Sequence, residues 1–147
     1  AAPEPEHADR RILVAGSGRV LRDDQRTRGP KARHPGAIAG RYPPDDARVV
    51  REEPFGPIVP LLRFSDTDDA VRRANDSEFG LAGSVWSADA AQAKAIAARL
   101  ECGTVCINTA SLLDPLSPFA GHKQSGVGVE NGIEGLLEFT HAQTLVA

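Results

Sequence analysis

From Val49 to about Leu137, apolar and polar positions follow two alternating periods. Residues 58–64 (IVPLLRF) are a short, nearly continuous apolar run, which predicts a buried strand. Residues 66–74 (DTDDAVRRA) come next, acidic in the first turn and basic in the last, the order that a helix dipole favours. Asn75, Asp76 and Gly80 then mark a connection, and residues 81–86 (LAGSVW) read as a second strand. Ser87 is placed to cap a helix in which Ala93, Ile96, Ala97 and Leu100 form an apolar stripe at i, i+3, i+4 and i+7, and Gly103 is the expected stop. Residues 104–108 (TVCIN) predict a third strand. Strands alternating with helices imply βαβ units, so the expected class is α/β, a partial parallel sheet with flanking helices.

The flanks are less regular. Residues 109–128 make a long loop rich in Pro and Gly, and loops of that length inside a compact domain are usually functional. Ile133, Leu136 and Leu137 predict a short helix, and Gln143 to Val146 a terminal strand that nothing later in the chain can pair with, as expected of a strand serving another subunit. Near the start, residues 11–15 (RILVA) read as a short strand ending at Gly16 and Gly18, after which about 25 residues show no clear period. Gly16-Ser17-Gly18 matches a dinucleotide fingerprint only in part: the third glycine position is Leu21 and no helix pattern follows, so a plain turn is the reading.

Composition narrows the class. The chain has 147 residues, enough for one domain or one piece of a larger one, with 41% hydrophobic and 25% charged residues, ordinary globular values. No run approaches the roughly 18 apolar residues of a membrane span, and residues 1–11 hold no apolar stretch of signal-peptide type. Cys102 and Cys106, four apart in an extended segment, would stand roughly 13 Å from each other at about 3.3 Å per residue, beyond disulfide reach. Without a second cysteine pair or a histidine at finger spacing, a structural zinc site is not expected. A reduced, cytoplasmic chain is the expectation. The formal net charge of −3 hides an asymmetry: residues 1–50 carry 10 Lys+Arg against 7 Asp+Glu, residues 51–147 carry 7 against 13. The basic run from Arg19 to Arg33 has no interleaved aromatics and is broken by Asp23 and Asp24, which speaks for a solvated segment and against nucleic acid.

Glu52-Glu53-Pro54-Phe55-Gly56-Pro57, the run Asn75 to Ala82, Val85-Trp86, Gly103-Thr104-Val105 with Ile107-Asn108, Ser117 to Gly121 with Lys123-Gln124-Ser125-Gly126, and Gly128 to Gly132 stand in one order. Together they resemble the C-terminal half of the aldehyde dehydrogenase superfamily, over roughly residues 45–147. The resemblance implies three parts: residues 1–44 as a weakly specified N-terminal segment, 45–140 as the C-terminal part of an aldehyde dehydrogenase catalytic domain, and 141–147 as a terminal oligomerisation strand.

The chemistry it implies is NAD(P)-dependent oxidation of an aldehyde to a carboxylic acid, through a cysteine thiohemiacetal, hydride transfer to NAD or NADP, and hydrolysis of the thioester. Those steps need an activated thiolate, an oxyanion-holding group and a carboxylate that activates water. In the family all three precede the Glu-Glu-x-Phe-Gly-Pro motif, whereas Cys102 and Cys106 follow it. The expectation is therefore a fragment lacking the nucleophile and the general base, with no catalytic residue of its own.

By the same resemblance Glu53 would hydrogen-bond the hydroxyls of the nicotinamide ribose and Phe55 would flank the nicotinamide ring, while Leu113 and Phe119 map onto the substrate-contacting loop. Pro54 stands where the family usually has a larger apolar residue, and residues 34–44 hardly resemble the segment by which relatives reach this motif. His122, Ser125 and Asp114 could suggest a hydrolase triad, but three residues of one glycine-rich loop meet no geometric test for it. The alternative reading is a non-catalytic oligomerisation or interaction module, or a decayed, inactive gene product. Expected partners are a small-molecule aldehyde and a second copy or a companion dehydrogenase chain, with no nucleic acid and no membrane.

Overall fold

A computed structural model describes residues 13–16, 19–23, 38–110 and 114–147, the first three strands by their backbone alone. In chain order these strands are β1 (Leu13–Gly16), β2 (Arg19–Asp23) and β3 (Ile38–Arg41). After a one-turn helix α1 (Arg48–Arg51) come β4 (Ile58–Phe64), α2 (Thr67–Asn75), β5 (Phe79–Gly80), β6 (Ala82–Trp86), α3 (Ala90–Ala97) and β7 (Thr104–Ile107). The remainder holds three two-residue strands, β8 (Phe119–Ala120), β9 (His122–Lys123) and β10 (Val129–Glu130), and the short helix α4 (Gly132–Leu137).

Six strands form one sheet in the order β3-β4-β2-β1-β6-β7. Parallel pairing holds for β6–β7, as expected of a βαβ unit, and for β2–β4 and β3–β4, whereas β4 and β6, the other expected pair, are separated by β2 and β1. It does not extend to β1, which runs antiparallel to both β2 and β6, so the sheet is mixed. For β1 and β2 the reason is connection length: Gly16 pairs with Arg19, and strands joined so closely can only turn back antiparallel, because a parallel return needs a crossover of a dozen residues or more. β2 and β3 lie where the sequence shows no clear period, and α1 was not expected either.

α2 forms where the charge pattern predicts it. Asp66 caps it, its Oδ1 accepting the Asp69 N–H at 2.8 Å, while Asp69 Oδ2 accepts the Ser65 N–H at 3.1 Å, a reciprocal arrangement of the capping-box kind. For α3 the cap is Asp89 and not Ser87: Asp89 Oδ1 accepts the Gln92 N–H at 3.0 Å, and the Ser87 hydroxyl accepts the Asp89 N–H at 3.1 Å, closing the turn before it. The helix also ends at Ala97, well before Gly103.

The core lies where α1, α2 and α3 cover the sheet: Val50, Leu62, Phe64, Ala70, Val71, Val85, Ala93, Ile96 and Leu100 form one buried cluster. Each fully buried large apolar side chain contributes about 1.5–3 kcal/mol. Val50 explains why so short a helix as α1 stays in place, since its side chain is buried in this cluster. Residues 141–147, where a terminal strand was expected, are exposed and form no strand within the chain, because a strand exists only against another backbone.

Candidate active site region

Two positions bear on the expected cofactor contact. Glu53 and Phe55 lie between α1 and β4, and both are exposed, Phe55 completely. The end of α1 just before them is fastened to the end of α2: Arg51 Nη1 donates to Asp76 Oδ2 at 2.9 Å and to the Asp76 carbonyl at 3.1 Å. Further upstream, the Arg63 guanidinium lies 3.9 Å from the centre of the Tyr42 ring, and Arg73 pairs with Asp45. The segment that leads to Glu53 is thus held at both ends by arginines.

Phe119 opens β8, is half-buried, and pairs in register with Glu130 of β10. It lines a cleft of about 720 Å³ together with Leu81, Val129, Asn131, Leu136 and Phe139 among others. Glu53 and Phe55 do not line this cleft. Leu113 lies outside the described residues. Of the three described residues expected to face ligands, Phe119 lines the cleft and Glu53 and Phe55 do not.

What holds the Phe119 loop is a polar lock that no reading of the sequence assigned. Lys123 Nζ donates to the carbonyls of Asn75 (2.6 Å) and Ser77 (3.1 Å) and pairs with Glu101 Oε2 at 2.7 Å. Asn75 spans the same junction, its Nδ2 donating to the Arg99 carbonyl at 2.9 Å and its Oδ1 accepting the Glu101 N–H at 3.0 Å. The Ser125 hydroxyl accepts the Gly80 N–H at 2.9 Å, and the Gln124 N–H donates to the Glu78 carbonyl at 2.9 Å. The loop after β8 is therefore riveted to the ends of α2 and α3. Asn75, Gly80, Lys123 and Ser125 all belong to the ordered motifs of the sequence, but distances of some 45 residues along the chain conceal that they meet.

Cys102 is half-buried, and burial pushes its thiol up, against a smaller downward pull from the Lys123 ammonium. Cys106 is half-buried on β7, in register with Ser84 of β6. The would-be triad is engaged elsewhere: Ser125 holds Gly80, and Asp114 accepts from the Leu116 N–H and the Ser117 hydroxyl. Among the described residues no group of three or more His, Cys, Asp or Glu side chains is placed to hold a metal ion, and no helix is long and apolar enough to cross a membrane.

Comparison with known proteins adds an independent line. Residues 33–145 match the profile of the aldehyde dehydrogenase family. The chain is 50% identical over 100 residues to the aldehyde dehydrogenase LUC3 of a Fusarium species, covering 68% of this chain and 22% of that protein. It is 45% identical over 101 residues to a betaine aldehyde dehydrogenase of Brucella anthropi, covering 69% and 21%. Among solved structures it resembles the betaine aldehyde dehydrogenase of Staphylococcus aureus in complex with NAD+, with a TM-score of 0.64 and 35% identity over 82% of this chain and 20% of that one. The chain spans about a fifth of the length of these relatives.

Proposed function

The chain belongs to the aldehyde dehydrogenase family, and from that premise we propose that it forms the C-terminal, ligand-facing part of an enzyme that oxidises an aldehyde to a carboxylic acid with NAD+ or NADP+, without supplying the nucleophile. The observation that carries this reading is the likeness, across 82% of the chain, to a betaine aldehyde dehydrogenase held in complex with NAD+.

The residues fit such a cofactor. Glu53 makes no hydrogen bond among the described residues and stands exposed, so both carboxylate oxygens are free to accept from ribose hydroxyls. The Phe55 ring is bare on both faces, as a ring that flanks a nicotinamide must be before the ligand arrives. When bound, the dinucleotide supplies the hydride acceptor. This chain's part is to orient it through Glu53 and Phe55, and to present Leu113 and Phe119 to the substrate as apolar walls. The Lys123 lock holds the Phe119 loop for that purpose.

Cys102, with its thiol pushed up by burial, is unsuited to attack a carbonyl near neutral pH. The nucleophile and the general base come from residues other than those described, in the same polypeptide or a companion chain. A second reading, a non-catalytic interaction module, is favoured by a different observation: Ile133, Leu136, Leu137, Phe139, Leu145 and Val146 are all exposed. Gln143 to Val146 would then add to the sheet of another subunit.

The test is NADH formation from a panel of small aldehydes by the purified 147-residue chain, with a Cys102→Ser/Cys106→Ser double variant alongside. The expected result is no thiol-dependent turnover, the two proteins behaving alike. Turnover by the parent chain that disappears in the double variant would sink the proposal and make one of these thiols the nucleophile.

A further inference from the structure

Three asparagines occur in the chain, and the fold treats them differently. The amide of Asn75 is held at both ends, by the Arg99 carbonyl and the Glu101 N–H. That of Asn108 is held equally well, its Oδ1 accepting the Ser87 N–H at 2.9 Å and its Nδ2 donating to the Ser87 carbonyl at 3.0 Å. Asn131 is the exception: it is exposed, it precedes α4 without any side-chain capping bond, and glycine follows it. We infer that Asn131-Gly132 is a site of spontaneous covalent modification in the native protein, where the asparagine converts to aspartate and isoaspartate and places a new carboxylate on the rim of the Phe119 cleft.

The chemistry needs no enzyme. The Gly132 backbone nitrogen, having lost its proton to solvent base, attacks Asn131 Cγ. The new N–Cγ bond closes a five-membered imide as the Cγ–Nδ2 bond breaks, and the departing nitrogen takes up a proton and leaves as ammonia. Water then opens the ring, either at Cγ, breaking the N–Cγ bond and restoring the backbone as aspartate, or at the Asn131 backbone carbonyl carbon, breaking its bond to the Gly132 nitrogen and leaving isoaspartate, with the chain running through the side-chain carbon. The net change is amide plus water to acid plus ammonia, with no oxidation or reduction. Ring closure is fastest before glycine, whose missing Cβ removes the steric block at the attacking nitrogen.

Two features of the structure bear on whether the native state permits this. The Gly132 N–H donates to the Pro115 carbonyl at 3.0 Å, and that bond must open first. It joins two exposed segments, and α4 buries no residue but Gly135, so local opening here requires little of the core to move. The backbone at Asn131 has φ of 62° and ψ of 178°, a conformation that residues with a side chain rarely adopt, so local opening here also relieves strain. The consequence is local and electrostatic. Asn131, Glu130 and Glu138 line one cleft, and the conversion adds a further negative charge beside two carboxylates on a chain of formal net charge −3.

The experiment is peptide mapping by mass spectrometry after incubation of the intact protein in mildly alkaline buffer at physiological temperature, run in parallel on the urea-unfolded chain. The expected result is conversion at Asn131 in the native protein, within about threefold of its rate in the unfolded chain and at least about tenfold faster than at native Asn75 or Asn108, whose two amide hydrogen bonds must both break before attack. Asn131→Asp serves as the elution standard for the product, and Asn131→Gln should abolish the new species. Conversion of Asn131 only in the unfolded chain, or at no greater rate than native Asn75 and Asn108, would overturn the inference.

Discussion

Lys123 and Glu101 meet at 2.7 Å although β9 and the turn after α3 are 22 positions apart in sequence, and the same ammonium also satisfies the carbonyls of Asn75 and Ser77. The lysine side chain is the more buried of the pair, 26% exposed against 58% for the glutamate. The two ends of this bridge should therefore differ in worth. Lys123→Ala removes the ion pair and both carbonyl contacts, leaving the Asn75 carbonyl only its bond from the Ser77 N–H, and is expected to cost about 2 kcal/mol in urea unfolding. Glu101→Gln removes the exposed charge alone and is expected to cost about 0.5 kcal/mol. Equal losses would show that the carbonyl contacts contribute nothing.

Gly103 is a packing requirement. A Cβ there would sit 1.6 Å from the Ala120 carbonyl oxygen, and one at Gly80 would sit 2.3 Å from the Glu101 carbonyl oxygen, backbone atoms that no rotamer change can move aside. Gly103→Ala is expected to cost about 3 kcal/mol and to raise amide exchange across residues 119–125, measured by hydrogen-exchange mass spectrometry. Unchanged exchange in that loop would mean that β8 does not pack against Gly103 in solution.

Asn108 combines a left-handed backbone, with φ of 54°, and a two-way amide bridge to Ser87. Asn108→Ala loses both and is expected to cost about 2–3 kcal/mol, whereas Asn108→Gly keeps the backbone easy and is expected to recover about 1 kcal/mol of that. Thermal unfolding of the two variants side by side reads the difference. The order Ala more stable than Gly would refute it.

Asp69 sets part of the acid limb. Burial pushes its carboxyl up, but the Ser65 N–H and the Arg72 and Arg73 guanidinium groups together outweigh that and hold it below the usual carboxylate range. A carboxyl whose folded value is depressed contributes stability that is fully present above its unfolded value, about 3.9, and is lost as pH falls through the folded one. Urea midpoints measured from neutral pH down to about 3 should fall at the acid end, and the fall should be shallower in Asp69→Asn. Parallel acid limbs would assign the loss to other carboxylates.

Cys102 should be sluggish toward alkylation. With its thiol pushed up by burial, its thiolate fraction near neutral pH is smaller than that of a free cysteine. Iodoacetamide labelling of the native protein, followed by peptide mass spectrometry against pH, should show a Cys102 rate below that of glutathione and rising at higher pH than the small thiol does. A rate at or above that of glutathione near neutrality would identify an activated cysteine.

The local pattern of the chain was sufficient for the middle of the fold. The apolar run at 58–64, the dipole-ordered charges of 66–74, the stripe from Ala93 to Leu100 and the β-branched run at 104–107 each correspond to an element, because strand and helix periods are properties of neighbouring residues. Cap identity was legible only to within two positions: Ser87 and Asp89 are both good caps, and which one serves is decided by which side chain reaches the Gln92 N–H. The ordered motifs likewise pointed to the family before any coordinates. What the pattern could not supply is pairing between remote segments. That β1 inserts antiparallel between β2 and β6, that Lys123 reaches Asn75 and Glu101, and that Phe119 faces the α4 cleft while Glu53 does not all depend on contacts between residues tens of positions apart. Such contacts form only when the chain folds back on itself, since hydrogen bonds and ion pairs act over a few ångströms of space and carry no trace in the local order of residues.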